Sequence, residues 1–269
     1  MFKIGNLSWQ EKRTGVIFGF LRTLLDLTEK FEADETVFCW DSLISYRRTL
    51  LPTYKTNRRR NLTEDDLLER EVCYKQFDEL RLQILPRLGF ANILHQEGIE
   101  ADDLIAKFVI NNGNGINDNI VVSSDNDLFQ ILDKIRGMYR LDKKVLYTQE
   151  DFIREKNIHP SDWLQVKTLM GDVSDNIPGV KGVGEKTALK HIISKGQYRS
   201  VDIGNNKALI SLNRKLMTLP HPLTQEIHIV RSSFNSDGFV DICLENGFSH
   251  FLKPEQYKRW LKAFDRGDD

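Results

Sequence analysis

An open, mostly parallel α/β sheet flanked by helices is the fold class this chain predicts, and three observations carry it. Short apolar runs of the buried-strand type, Thr36-Val-Phe-Cys-Trp40 and Ile120-Val-Val-Ser-Ser124, alternate with longer stretches of helical apolar spacing. Both runs end directly on carboxylates, at Asp41 and at Asp125-Asn-Asp127, where open α/β sheets place their sites. Between them, Gly98-Ile-Glu-Ala-Asp-Asp103 sets Glu100, Asp102 and Asp103 at the opening of a new apolar pattern through Leu104, Ile105, Phe108 and Val109. The 269 residues, 40% hydrophobic and 29% charged, can bury a substantial core as one large or two modest domains. The expected division is an α/β core over 1–165 and a helical region over 166–269.

Taken in order, residues 1–15 read as a loop. Residues 16–31 carry Phe20, Leu21, Leu24, Leu25 and Leu27 at helical spacing, so a helix should pack on strand 36–41. Residues 45–60 contain Arg47, Arg48, Lys55, Arg58, Arg59 and Arg60 and no acidic residue. This is either a solvated basic loop or a source of cations for a phosphate near Asp41, with Lys55 and Arg58 nearest. Tyr46 and Tyr54, interleaved with the cations, can stack on a base or ribose or pack on their own loop. Thr63 with Glu64, Asp65 and Asp66 opens a helical stretch to about 88, as one helix or two, closed by Pro86 and Gly89. A short strand over 90–94 follows, and His95 beside it reads as structural.

Helix 101–112, the Asn-Gly loop 111–115, strand 120–124 and helix 127–134 continue the alternation. Residues 139–147 resemble a hairpin turning at Asp142-Lys-Lys144. Thr148 and His159 each open a further helix, helices are expected across 200–219, and 227–230 reads as a strand or extended segment. A final helix includes Tyr257, Trp260, Leu261 and Phe264.

The chemistry lies in recurrence. An Asp-rich first turn is ordinary at a helix start, but Asp172 and Asp175 add two more carboxylates in a turn. Asp41, Glu100, Asp102, Asp103, Asp125, Asp127, Asp172 and Asp175 cannot share a small volume unless protonated or neutralised. Hard divalent cations such as Mg²⁺ or Mn²⁺ provide that neutralisation through oxygen ligands, and no His/Cys set has zinc spacing. Two such ions about 4 Å apart form a clamp for phosphodiester hydrolysis. After Asp175, the run Asn176-Ile-Pro-Gly-Val-Lys-Gly-Val-Gly-Glu-Lys-Thr-Ala188 is a glycine-rich turn opening a helix, with Lys181, Lys186 and Lys190 as phosphate contacts. Its spacing does not meet that of a Walker nucleotide loop.

The net charge of −1 neither selects nor excludes a nucleic-acid partner, because the basic residues are clustered. Cys39, Cys73 and Cys243 are odd in number and far apart, which argues against a disulfide scaffold. No apolar run reaches membrane length, and the cytoplasm of a bacterial or phage-infected cell is the expected setting.

These motifs together resemble the 5′ nuclease family: flap endonucleases, phage 5′ exonucleases and the 5′-to-3′ exonuclease domain of bacterial DNA polymerase I. The resemblance runs over about 15–219. It rests on Thr14-Gly-Val-Ile-Phe-Gly-Phe-Leu21, Trp40-Asp41, Leu51-Pro-Thr-Tyr-Lys-Thr-Asn-Arg58, Glu100-Ala-Asp-Asp103, Ser123-Ser-Asp-Asn-Asp-Leu128 and Met170 through Ala188. It implies a PIN-like 5′ nuclease fold with a helical arch over about 60–88 and a helix-hairpin-helix-like duplex-binding region built on 176–190. It also implies two metal sub-sites: Asp41, Glu100 and Asp102 around the first ion, with Asp125, Asp127, Asp172 and Asp175 at or beyond the second and Asp103 close to both. Lys55 and Arg58 look like the catalytic basic residues at the foot of the arch. DNA contacts are expected from Arg47, Arg48, Tyr54, Lys55, Arg58, Lys181, Lys186 and Lys190, and a potassium ion on the backbone carbonyls of Val180 and Val183.

The expected activity is structure-selective hydrolysis at DNA 5′ ends and flaps by a monomer, with action on RNA-DNA hybrids as well. Members of the family begin with a hydrophobic strand ending in Asp-Gly, which this sequence does not show before residue 1. The expectation is a weakened first metal site, and the alternative function is a DNA-binding protein that keeps the fold with crippled catalysis.

Overall fold

A computed structural model describes residues 7–59, 62–111, 119–196 and 201–265, without the side chains of 58 and 59. In chain order the elements begin with β1 (Ser8–Trp9), β2 (Lys12–Arg13), α1 (Gly15–Phe31), β3 (Phe38–Trp40) and α2 (Arg47–Leu50). A 3₁₀ turn over Thr56–Arg59 precedes α3 (Glu64–Glu79), which continues through a π-helical turn at Leu80–Ile84 into α4 (Leu85–Arg87). Then come β4 (Ile93–His95), α5 (Ala101–Asn111), β5 (Ile120–Val122) and a 3₁₀ segment at Asn126–Lys134. β6 (Gly137–Arg140), β7 (Val145–Tyr147), α6 (Gln149–Lys156), α7 (Trp163–Met170), α8 (Glu185–Ile193), α9 (Lys207–Met217), α10 (Ser236–Glu245) and α11 (Pro254–Phe264) complete the order. Among the described residues no helix is long and apolar enough to cross a membrane.

The chain divides into two compact units. The first comprises 1–38, 62–94 and 229–269. Its α1 buries Ile17, Leu21, Leu24, Leu25 and Thr28, one face at helical spacing, and ends where Glu32 turns left-handed at φ 52°. The backbone N–H of Val16 donates to Gln76 Oε1 of α3 at 2.9 Å, so a buried polar group anchors α3 on α1. A Thr63–Asp66 capping box opens α3. From 235 onward the unit is closed by an aromatic core in which Phe239, Phe248, Phe251 and Trp260 are almost wholly buried. Phe18 of α1 stacks on Phe251 at 4.7 Å.

The second unit, 39–61 and 95–228, carries the carboxylates. Its sheet has the order β5-β6-β7, with β5 parallel to β6 and β6 antiparallel to β7. Leu128, Phe129, Leu132, Met138, Phe152, Trp163 and Val166 form the core beneath it. Trp163 locks the turn after β5 by donating its indole N–H to the Asn126 carbonyl at 2.8 Å. α7 packs on both α8 and α9, and Asn213 of α9 donates to the carbonyls of Thr168 and Pro178. Gly171 ends α7 at φ +72°, and a Cβ there would lie 2.4 Å from the Gly179 nitrogen, so the turn closes only around glycine.

Several expectations are corrected. Among the described residues the strands are two to four residues long and form three small sheets rather than one central sheet; β5–β6 is parallel, whereas β1–β2 and β6–β7 are antiparallel. Residues 8–13 form a hairpin where a loop is expected. Where helix 127–134 is expected, residues 126–134 form a 3₁₀ segment opened by Asp125, whose carboxylate accepts the Asp127 N–H. Of the two readings of 227–230, strand or extended segment, the strand does not form: Asn92 takes the Val230 backbone on its side chain, donating to the carbonyl at 2.7 Å and accepting the N–H at 3.0 Å. Helix α10, with its Asn235 cap, has no counterpart in the sequence reading. The 63–88 stretch is one continuous helix, with the π turn accommodating Pro86 just beyond it.

Candidate active site

Three short elements bring the carboxylates together within the second unit. Asp41 follows β3, and its Oδ1 accepts the Ala101 N–H at 2.9 Å, so the first carboxylate caps the helix that carries the next ones. Ser42 N–H donates to the Ile99 carbonyl and Tyr46 N–H to the Gly98 carbonyl, which lays residues 42–46 along the start of α5. Asp125 and Asp127 follow β5, with Asp125 Oδ1 accepting the Asp127 N–H at 2.9 Å. Asp172 organises the turn after α7, where its Oδ1 accepts from Ser174 Oγ at 2.6 Å and from the Asp175 N–H at 3.1 Å.

Asp102 sits at the point of greatest repulsion. It is half-buried, and that desolvation, followed by the charges of Asp125, Asp41 and Asp127, holds its carboxyl well above the usual range. Burial also raises Asp127, although Lys167 Nζ lies 2.7 Å from its Oδ1. Cys39, behind Asp102, is pushed up to about 12 by burial and by that carboxylate. Where cations intervene, the direction reverses. Burial alone would raise Glu100, but Lys55 and Arg47 hold it below the ordinary value; Asp172 is lowered against burial by Lys167 and Ser174.

Lys167 is the residue that sequence reading misses. It projects from the buried stripe of α7, 5% exposed, and bridges Asp127 at 2.7 Å and Asp172 at 2.5 Å. The available signal was a lone lysine between Val166 and Leu169, because a charge at a core position requires a partner. Lys55 makes the equivalent bridge, 2.6 Å from Glu100 Oε2 and 3.8 Å from Asp175 Oδ2. Tyr54 runs beside it, its hydroxyl donating to Glu100 at 3.1 Å and to Asp175 at 3.2 Å. Burial and those two carboxylates raise its phenol far above the ordinary value, so it remains a donor.

Arg47 and Asp103 occupy a different place from the one expected. Arg47 is 3% exposed and Asp103 0%; they form a two-pronged ion pair at 2.6 and 2.8 Å. Arg47 Nε also donates to the Leu216 carbonyl at 2.6 Å, and Asp103 accepts the His221 N–H at 2.7 Å and the Glu100 N–H at 3.3 Å. With its donors thus used, Arg47 is a buried anchor rather than a surface phosphate contact, and Asp103 is its counter-ion. Tyr54, 3% exposed, likewise cannot stack on a base.

Bonds and ion pairs thus run from Asp125 and Asp127 through Lys167 to Asp172 and Asp175, then through Tyr54 and Lys55 to Glu100, Arg47 and Asp103, while Asp41 and Asp102 adjoin this network through their charge. Among the described residues, no three His, Cys, Asp or Glu side chains converge closely enough to enclose an ion in this arrangement. The donor chemistry fits a hard divalent cation nonetheless: oxygen ligands throughout, and a deficit of positive charge around Asp102. Arg48, Lys181, Lys186 and Lys190 are exposed. The Arg58 side chain lies outside the described residues. Val180 and Val183 have buried side chains, and the Val180 carbonyl accepts the Val183 N–H at 2.9 Å.

Residues 4–157 match the family described as 5′-3′ exonuclease, N-terminal resolvase-like domain, and residues 158–203 match 5′-3′ exonuclease, C-terminal SAM fold. A 5′-3′ exonuclease of Bacillus subtilis (strain 168) is 37% identical over 194 residues, covering 70% of this chain and 61% of that protein. A 5′-3′ exonuclease of Buchnera aphidicola subsp. Schizaphis graminum is 26% identical over 233 residues, covering 86% and 75%. The chain thus spans less than two thirds of the Bacillus relative. The bacteriophage T5 D15 flap endonuclease, solved with DNA and metal ions, has a similar fold at TM-score 0.66, with 24% identity over 76% of this chain and 80% of that one.

Adjacent residues of one motif should respond oppositely to mutation. Because native Asp102 binds its proton more tightly than in the unfolded chain, EDTA-treated protein should lose stability as pH rises above the ordinary carboxylate range. The lowered Glu100 and Asp172 contribute fully above about pH 5 and lose their contribution only in acid, so they do not mask this slope. Asp102→Asn should flatten the slope and raise Tm at pH 8 by about 2–4 °C. Asp103→Ala should cost about 3–5 kcal/mol by stranding the Arg47 guanidinium. Thermal and denaturant melts across pH check both; a loss of stability in Asp102→Asn would contradict the account.

Proposed function

This chain belongs to the 5′-3′ exonuclease family, and from that premise we propose that it is a divalent-metal-dependent, structure-selective 5′ nuclease. It hydrolyses phosphodiester bonds at DNA 5′ ends and flaps, acts on RNA-DNA hybrids, and works as a monomer in the cytoplasm of a bacterial or phage-infected cell. The observation that carries the reading is the carboxylate network with a lysine at each bridge. Asp41, Glu100, Asp102, Asp125, Asp127, Asp172 and Asp175 would hold two Mg²⁺ or Mn²⁺ ions. Such ions supply activation of water and neutralisation of charge on the leaving oxygen. Asp103 acts at one remove, through its contacts with Arg47 and the Glu100 N–H.

The chain's own groups do the remaining work. Lys55 offers its ammonium to the negative charge that develops on the scissile phosphate, and Tyr54 holds Glu100 and Asp175 in register beneath it. Arg48 and Arg58 extend the cationic surface along the strand. The α7–α8 pair, joined by the glycine-rich turn, forms a helix-hairpin-helix-like grip on duplex backbone within a region from about 166 onward, and the helix through 64–87 forms the arch for a single-stranded 5′ end. Gly184 leaves the first amides of α8 without a side-chain cap, which suits a phosphate there, helped by Lys181, Lys186 and Lys190. A potassium ion would use the Val183 carbonyl and the remaining lone pair of Val180.

Mg²⁺ with labelled 5′-flap DNA, blunt duplex and RNA-DNA hybrid tests the reading. Asp125→Asn combined with Asp127→Asn should abolish cleavage while substrate binding stays nearly intact; activity within tenfold of the parent would sink the assignment. Lys186→Ala with Lys190→Ala should weaken duplex binding and reduce its salt slope by about one to two units, at about 0.9 per phosphate contact. An unchanged slope would place the duplex elsewhere.

A further inference from the structure

The segment that carries Lys55 is strapped to the turn that carries Asp172 and Asp175. Asn57 Nδ2 donates to Asn176 Oδ1 at 3.0 Å and to the Val173 carbonyl at 3.4 Å. Asn176 Nδ2 returns a bond to the Thr53 carbonyl at 3.0 Å, and the Lys55 N–H donates to the Asp175 carbonyl at 2.9 Å. Both residues at the centre of the strap are left-handed, Lys55 at φ 57° and Asn176 at φ 60°. Asparagine tolerates that region; lysine holds it only where surrounding bonds fix it. Asn57 Oδ1 is buried with no hydrogen-bond partner. Neither a left-handed lysine nor an orphaned acceptor is what stability alone selects, and such local conflicts gather where geometry serves chemistry.

The reversal at Lys55 sets its ammonium 2.6 Å from Glu100 and 3.8 Å from Asp175. We infer that Asn57 and Asn176 are positioning residues: they act through Lys55, fixing its backbone against the Asp172–Asp175 turn so that the ammonium is already in place when a scissile phosphate arrives. The inference rests on the nuclease reading. It adds that the basic segment and the second carboxylate turn are a single mechanical piece, so that weakening the strap misplaces the cation without removing any charge. Displacements of about 1 Å at a reacting centre can cost about a hundredfold in rate.

A double-mutant cycle tests this in single-turnover cleavage of 5′-flap DNA with Mg²⁺. Asn57→Ala should slow the parent about tenfold and slow Lys55→Ala less than about twofold, because residues acting through one group are non-additive. DNA affinity with Ca²⁺ in place of Mg²⁺ should be unchanged. Equal fold losses in both backgrounds would overturn the inference and leave the strap a stabilising clip. If Lys55→Ala is too slow to measure, Asn176→Gly decides, since glycine accepts the same φ and loses only the side-chain bonds. A tenfold drop in rate at constant affinity and Tm supports positioning; no drop, or parallel losses of affinity and Tm, overturns it. A parent that cleaves none of the substrates overturns the nuclease reading and this inference with it, whereas a cleaving parent with an additive cycle overturns this inference alone.

Discussion

Mutual repulsion of carboxylates is the constraint on which the second unit is built. Burial, then the charges of Asp125, Asp41 and Asp127, raises the proton affinity of Asp102. Elsewhere cations separate the carboxylates: Lys167 between Asp127 and Asp172, Lys55 between Glu100 and Asp175, Arg47 against Asp103. Each cation arrives from a different element, α7, the 51–55 loop and α2, so charge balance and tertiary structure are the same arrangement seen twice. An acidic centre of this kind stores a demand for positive charge, which hard divalent cations with oxygen ligands meet.

The three cations differ in how firmly they are committed. Arg47 is wholly buried and its guanidinium also holds the carbonyl of Leu216, so α2, α5 and the end of α9 meet on it. Lys167 is nearly as buried, but its carboxylates remain partly accessible. Lys55 retains 21% side-chain exposure and depends on a strained backbone for its place. This gradient separates residues that look equivalent in a basic run: Arg47 is locked in the interior, whereas Lys55 stays partly open to solvent.

Sequence was most informative where chemistry repeats and least where tertiary contacts decide. The carboxylates, the glycine-rich turn, α1 and the helix through 64–87 were all legible from spacing, caps and breakers. Burial was not: Arg47, Tyr54 and Asp103 carry the same letters whether they face DNA or the core, and only packing sends them inward. Strand continuity was also hidden, because runs such as Ile120–Val122 are too short for alternation to reveal their partners. Residues 227–230 read as a strand or an extended segment, and the backbone groups of Val230 go to the side chain of Asn92 rather than to a strand. Lys167 escaped notice because one charge in an apolar helix reads as a solvated exception until its two partners, distant in the chain, are seen beside it.

Direct cation binding tests the central claim. Calorimetric titration of Mn²⁺ into EDTA-treated protein near pH 7, in two buffers of different ionisation enthalpy, reports both occupancy and proton exchange. The carboxylate network predicts saturable binding, with proton release that grows as the pH is lowered toward the carboxylate range, since burial and then the neighbouring carboxylates raise the proton affinity of Asp102. No saturable binding, or binding undiminished when Asp102, Asp125 and Asp127 are all changed to asparagine, would contradict it.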